Sequence, residues 1–393
     1  MSPVSLLPMF LILLLVLLWV TVVSRFLDLR PQEGRFKSID GLRGYLAIYV
    51  FLYHSILWYF FLQTGKWISP PPSVLHANLG AICISLFFMI TAFLFFSKLV
   101  NARMKQVDWV KLYISRILRI YPVYTLVVIG MLLVVGIVTQ WHRQEPIGQL
   151  ILHSSEWMLS IAADVNGVTG TKLIIAGVVW SLAFEWLYYA ALPLLGLLMG
   201  VKSPWYIWLM AVFFFCLFVW IIWTWYPANA LNKALAFTGG MLPAFFARNN
   251  QVRRVASHWL VSLLMAAVLV LAALYSAYIY SPLTYVCTTF IFVCITCGNT
   301  FFGILTWKPS CLLGQIAFSL YIVHGLVYFI TFMLIMGMPA ARAQQPLAHW
   351  LTTGLCSLVL VTICTLSYKY VERPCVSGAD RITAKTKRYL DLE

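Results

Sequence analysis

The chain has 393 residues, 62% of them hydrophobic and only 10% charged, and its formal net charge is +15. Covering a soluble surface takes roughly 25% charged residues, so an ordinary soluble domain is excluded and most of the surface must face lipid. The 16 Trp, 20 Tyr and 26 Phe suit the same class, because amphipathic rings settle at headgroup level.

A hydrocarbon core about 30 Å thick asks for about 20 apolar residues per helix. In chain order the predicted spans are 4–24, 41–62, 79–99, 118–139, 177–200, 205–224, 231–247, 256–279, 284–304, 312–336 and 347–371. They define an all-α integral membrane bundle of about ten or eleven transmembrane helices. The span 231–247 is short and Gly-rich, and 147–162 is amphipathic and reads as interfacial or re-entrant. The first span has too long an apolar stretch for a signal peptide, with no basic leader and no small-residue cleavage site. It is expected to be a retained anchor with the N-terminus outside and the C-terminus cytoplasmic.

That orientation places 21 of the Lys and Arg residues in cytoplasmic loops, among them Arg35, Arg103, Lys105, Lys202 and Lys308. Only Lys66, Arg143, Lys172, Lys233 and Arg342 fall outside. Such a split is what the positive-inside rule demands. The basic excess is therefore topological, and a nucleic-acid partner is not needed. The nine cysteines lie mostly in apolar runs, where Cys acts as a small hydrophobe. Cys294 and Cys297 form a CxxC without a second pair at ligand spacing, so no metal is expected.

Ionisable residues inside spans are costly and mark functional candidates. Arg43 and His54 share the span 41–62; eleven steps of about 100° bring them back to one face, roughly 16 Å apart along the axis. Arg43 then sits at the cytoplasmic boundary and His54 deep in the bilayer. The plain alternatives are a snorkelling cation and a histidine hydrogen-bonded between helices. Glu185, in VVWSLAFEWLYYA, falls at a similar depth on an inward-running span, and a carboxylate facing a histidine can hold and orient it. Such a pair is the minimum for general-base activation of a hydroxyl. His324, in GQIAFSLYIVHGL, lies at comparable depth, with a structural hydrogen bond as the equal alternative. In SRILRIYP, Arg116 and Arg119 share one face at a helix start. Two guanidiniums there make a phosphate clamp for a ligand such as coenzyme A, or serve as ordinary positive-inside anchors.

These segments together resemble the membrane-bound acyltransferase-3 family. IDGLRGYLAIYVFLYH, with ten residues between Arg43 and His54, is similar to the family's opening motif. NLGAICISLFFMITAFLFF, SRILRIYP, VVWSLAFEWLYY, GQIAFSLYIVH and Glu372-Arg373-Pro374 follow in the family's order. Two departures are an additional N-terminal helix and Ala92 where glycine is common. The resemblance implies residues 1–35 as an extra anchor and linker, 36–376 as the acyltransferase-3-like membrane domain, and 377–393 as a basic cytoplasmic tail. No esterase-like domain is expected after the last span.

The resemblance further implies His54, Arg43 and Glu185 as catalytic residues, with Arg116, Arg119 and Arg43 binding acetyl-CoA as acyl donor. Trp180, Ser181, Tyr321 and His324 are then the expected substrate contacts. The loops 63–78 and 140–176 would shape acceptor choice, with His142, Glu145, Glu156 and Asp164 offered to sugar hydroxyls. The implied activity is transfer of an acyl group, acetyl first, from cytoplasmic acyl-CoA to a hydroxyl of an extracytoplasmic glycan, in the bacterial inner membrane. Direct transfer and an acyl-histidine relay both remain open. The rival class is a secondary transporter or permease, which also buries ionisable residues at the midplane but is often built from repeats; no repeat is found here.

Overall fold

The computed structural model describes residues 2–31, 36–102, 106–276 and 280–389. Arg35, Arg103 and Lys105, counted above among the cytoplasmic cations, lie outside the described residues. Among the described residues there is no β-strand, only two isolated bridges. In lipid each backbone polar group must be satisfied within its own segment, which selects helices.

The helices run α1 (Leu6–Phe26), α2 (Lys37–Thr64), α3 (Val74–Asn101), α4 (Trp109–Val138), α5 (Ile147–Glu156), α6 (Trp180–Leu198), α7 (Trp205–Trp225), α8 (Ala230–Met241) and α9 (Pro243–Phe246). They continue with α10 (Asn250–Ala256), α11 (Trp259–Tyr275), α12 (Pro282–Thr296), α13 (Lys308–Gln315), α14 (Ala317–Phe329), α15 (Met338–Arg342), α16 (Pro346–Ser367), α17 (Arg373–Ser377) and α18 (Ala379–Tyr389). Two π-helical turns, Ile330–Ile335 and Tyr368–Glu372, extend α14 and α16.

By length and composition, eight of these helices can cross a membrane, or nine if α10 and α11, bent by 69° at their break, count as one. The difference from ten or eleven lies in two places. At 15 residues α12 spans only about 22 Å at 1.5 Å per residue, short of the hydrocarbon thickness. The predicted span 231–247 is divided into α8 and α9, each shorter still. The segment 147–162 becomes the ten-residue α5, which buries none of its side chains, followed by a short 3-10 turn.

The protein is thus an integral multi-pass membrane bundle, and its sidedness shows in single helices. Along α1, Met9, Ile12, Val16 and Val20 are buried while Leu7, Phe10, Leu11 and Leu18 are exposed; the buried stripe packs on α16 and α13. α7 turns Leu209, Phe213, Trp220 and Trp223 outward, as a lipid-facing helix should. At the centre, α2 is packed by α3, α13, α14 and the loop before α13. α14 approaches the loop before α6 so closely that a Cβ on Gly325 would strike the Ile175–Ala176 backbone. Only glycine permits that approach, and it fixes the register of the neighbouring His324.

Candidate functional site

Two cavities lie end to end along α2. The first encloses about 840 Å³ of empty space and is lined by Arg43 from α2, Thr91 and Phe95 from α3, Arg116 and Arg119 from α4, Ser181, Glu185 and Tyr189 from α6, and Phe318 and Tyr321 from α14. Three guanidiniums and one carboxylate line this arginine cavity, and the carboxyls of Asp40 and Glu372 lie near enough to Arg43 and Arg119 to interact with them. Glu185 accepts hydrogen bonds from Thr91 Oγ1 and from Tyr189 OH, both at 2.9 Å. The Arg116 guanidinium lies 4.9 Å from the Phe95 ring centroid, and its Nε is buried without a hydrogen-bond partner. Buried polar groups are normally paired, so the unpartnered Arg116 donor in this wall leaves a bond that an anion could accept.

The second cavity encloses about 890 Å³ and is lined by Tyr53 and His54 from α2, Ser69, Ala77, Ala81, Val178, Trp180, Asn229, Lys233 and Tyr280, among others. Ile84 and Tyr321 line both cavities, so the two spaces meet at this pair. The Tyr321 hydroxyl donates to Ser181 Oγ at 2.8 Å, and Ser181 Oγ donates to the Val178 carbonyl at 3.1 Å.

His54 is half-buried, and its Nδ1 is 2.8 Å from the Val50 carbonyl oxygen. A carbonyl only accepts, which assigns the proton to Nδ1 and leaves Nε2 as the basic nitrogen. Its neighbour is another imidazole: the His54 and His324 ring centroids are 4.7 Å apart. His324 is fully buried, donates from Nδ1 to the Leu320 carbonyl at 3.1 Å, and has a buried Nε2 without a partner.

Arg43, Arg116 and Arg119 come together as expected, and Glu185 joins them. The expected pairing of His54 with Glu185 is not formed. Counting residues into a span fixes depth but not facing, and α6 turns Glu185 towards α3 and the α4 arginines, into the other cavity. His324, expected to touch substrate, lines neither cavity and lies behind His54. Ser181 and Tyr321 form one hydrogen-bonded unit, and Trp180 lines the histidine cavity. In the loop 140–176, Glu145 binds His153 Nδ1 at 3.1 Å and the Asn166 amide at 2.7 Å, and Asp164 binds the amides of Gly170 and Thr171. Both carboxylates take part in shaping their own loop, while Asp164 and His142 are exposed.

Sequence reasoning missed Tyr189, legible as the i+4 neighbour of Glu185, and Lys233. The latter is an ionisable residue inside a predicted span, the very signal that singled out Glu185, but it had been counted as a loop cation.

A lipid-embedded bundle thus sets an arginine-lined cavity beside a histidine-lined one. The sequence model of an acyltransferase domain family (Acyl_transf_3) matches residues 36–368. The match covers well over half of the chain, which belongs to this acyltransferase-3 family and is a membrane acyltransferase. Neither the curated proteins nor the solved structures include a significant match to the chain.

Proposed function

We propose that the protein is an O-acyltransferase that moves an acyl group, acetyl first, from acyl-CoA at the arginine cavity to a hydroxyl of a glycan at the histidine cavity. The observation that carries this reading is the shared wall: Ile84 and Tyr321 line both spaces, so a donor held in one and an acceptor held in the other can meet. Arg43, Arg116 and Arg119 suit the pyrophosphate and 3′-phosphate of coenzyme A, since guanidinium–phosphate bonds are charge-assisted and bidentate. Glu185, fixed by Thr91 and Tyr189, limits their mutual repulsion.

In the reaction, His54 Nε2 removes the proton from the acceptor hydroxyl as that oxygen attacks the thioester carbonyl carbon. A carbon–oxygen bond replaces the carbon–sulfur bond. The proton then passes from His54 to the departing sulfur, which leaves as the free thiol. Tyr321 OH, at the junction, is the donor we assign to the developing oxyanion, its proton turning to it from Ser181 Oγ. The positive-inside distribution of Lys and Arg supports a reading with the arginine cavity on the cytoplasmic side and the acceptor side outside, and the membrane we assign is the bacterial inner membrane. The acceptor class is a surface polysaccharide or lipopolysaccharide O-antigen.

The test uses membranes carrying the full chain, radiolabelled acetyl-CoA and a glycan pool. Wild type transfers label to glycan and releases CoA, and His54→Ala lowers the rate by about 10²–10⁴-fold, the usual share of a general base. Labelled glycan at an undiminished rate from the variant removes His54 from the chemistry. A transporter would give neither labelled glycan nor free CoA.

A further inference from the structure

One charged residue in the histidine cavity has no part in the reaction as written. Among the described residues lining that cavity, Lys233, half-buried on α8, is the one lysine, and none is Asp or Glu. Its Nζ lies 4.3 Å from the Trp180 ring centroid and 5.8 Å from that of Phe184. Among the described residues no carboxylate forms an ion pair with it. Aromatic faces attract an ammonium but do not neutralise it, so among the described residues the cavity keeps a positive charge that no carboxylate compensates.

The position of that charge is built rather than incidental. α8 packs on α3 through Gly239 and Gly240, where an added Cβ would meet Met89, and so Lys233 is carried on an element fixed against the cavity wall. The rest of the polar lining is uncharged: the imidazole of His54, the hydroxyls of Tyr53, Ser69, Tyr280 and Tyr321, the indole of Trp180 and the amide of Asn229. These suit the hydroxyl groups of a sugar, and they leave one feature of a ligand unspecified. The donor's phosphates do not need Lys233, because three arginines serve them in the other cavity.

We propose that the acceptor is an anionic sugar, bearing a carboxylate or a phosphate that pairs with Lys233 while one of its hydroxyls is presented to His54. This rests on the acyltransferase reading above and narrows its acceptor. Glu145 and Asp164, tied into their own loop, do not oppose such a ligand.

The test is acetyl transfer from labelled acetyl-CoA by the full-length protein in proteoliposomes. Glucose, galactose and mannose are each offered as the neutral methyl glycoside, the corresponding uronate and the 1-phosphate. Wild type is expected to favour an anionic form over its neutral counterpart by about tenfold or more in kcat/KM, the scale of one charge-assisted hydrogen bond. Whether uronate or phosphate gains identifies the anion. Lys233→Gln should erase the preference, mainly through KM, and Lys233→Arg should keep it. Equal use of neutral and anionic sugars by wild type overturns the inference while acyl transfer stands. So does a preference that survives in Lys233→Gln, or an equal loss on both forms. No labelled sugar and no free CoA from any acceptor overturns the acyltransferase reading, and the inference with it.

Discussion

The imidazoles of His54 and His324 are held alike, each donating from Nδ1 to the carbonyl four residues earlier on its own helix. Both therefore turn a lone pair on Nε2 outward, and their rings stand 4.7 Å apart. On the proposed reading, His54 becomes a cation when it takes the proton, with no carboxylate among the described residues bonded to it. The unpartnered Nε2 of His324 is the base beside it, and sharing the proton spreads that charge. On that reading His324 is a positioning residue for the base. His324→Leu should lower kcat by about 10- to 100-fold, the cost of a lost hydrogen bond to a charged group, with KM for acetyl-CoA nearly unchanged. Steady-state kinetics on both substrates separate the two parameters, and an unaltered kcat would reduce His324 to packing. His54 was legible from its position within a span. Its true partner was not, because a depth count places Glu185 and His324 alike, and only helix rotation decides between them.

Among the elements, α4 carries two of the three arginines and is held at its start by a cap. Asp108 accepts from the Lys111 amide at 3.0 Å and from Lys387 Nζ of α18 at 2.6 Å, while Lys111 Nζ pairs with Asp380 of α18 at 2.6 Å. The stretch expected as a basic tail is thus a helix to Tyr389 docked on α4. Burial alone would raise the Asp108 pKa, but the bonds from Lys387 and Lys111 outweigh it and hold the carboxyl below its usual value. A depressed pKa stabilises the folded state above the unfolded value, and that contribution fades as pH falls through the folded one. Asp108→Ala should therefore cost about 1 kcal/mol, as cap removals do, with the exposed ion pairs adding little. The deficit should be full at neutral pH and shrink in acid below the ordinary carboxylate range. Thermal unfolding of the detergent-solubilised protein across pH checks this; a pH-independent deficit would assign the effect to packing. The long helices were plain in the sequence, since hydropathy dictates them. The breaks between α8 and α9 and between α10 and α11 were not, because hydropathy does not record where two backbones must pass closely.

For the whole molecule, the proposed orientation puts Lys202 on the cytoplasmic side and Lys66 on the outer. In a variant with the exposed Cys216 replaced by serine, an impermeant maleimide added to spheroplasts should label Lys66→Cys and not Lys202→Cys; the reverse pattern would invert the orientation. Composition and motif order already outlined the membrane class and the arginine group. The two-cavity plan was out of reach, since it depends on which faces of α2, α3, α6 and α14 meet. The narrow meeting place at Ile84 and Tyr321 also limits what has to travel. On the proposed reading neither carrier leaves its own compartment, and only a fragment of a few atoms is handed across. A bilayer served in this way is never opened to water or ions, and no cycle of inward- and outward-facing shapes has to be driven.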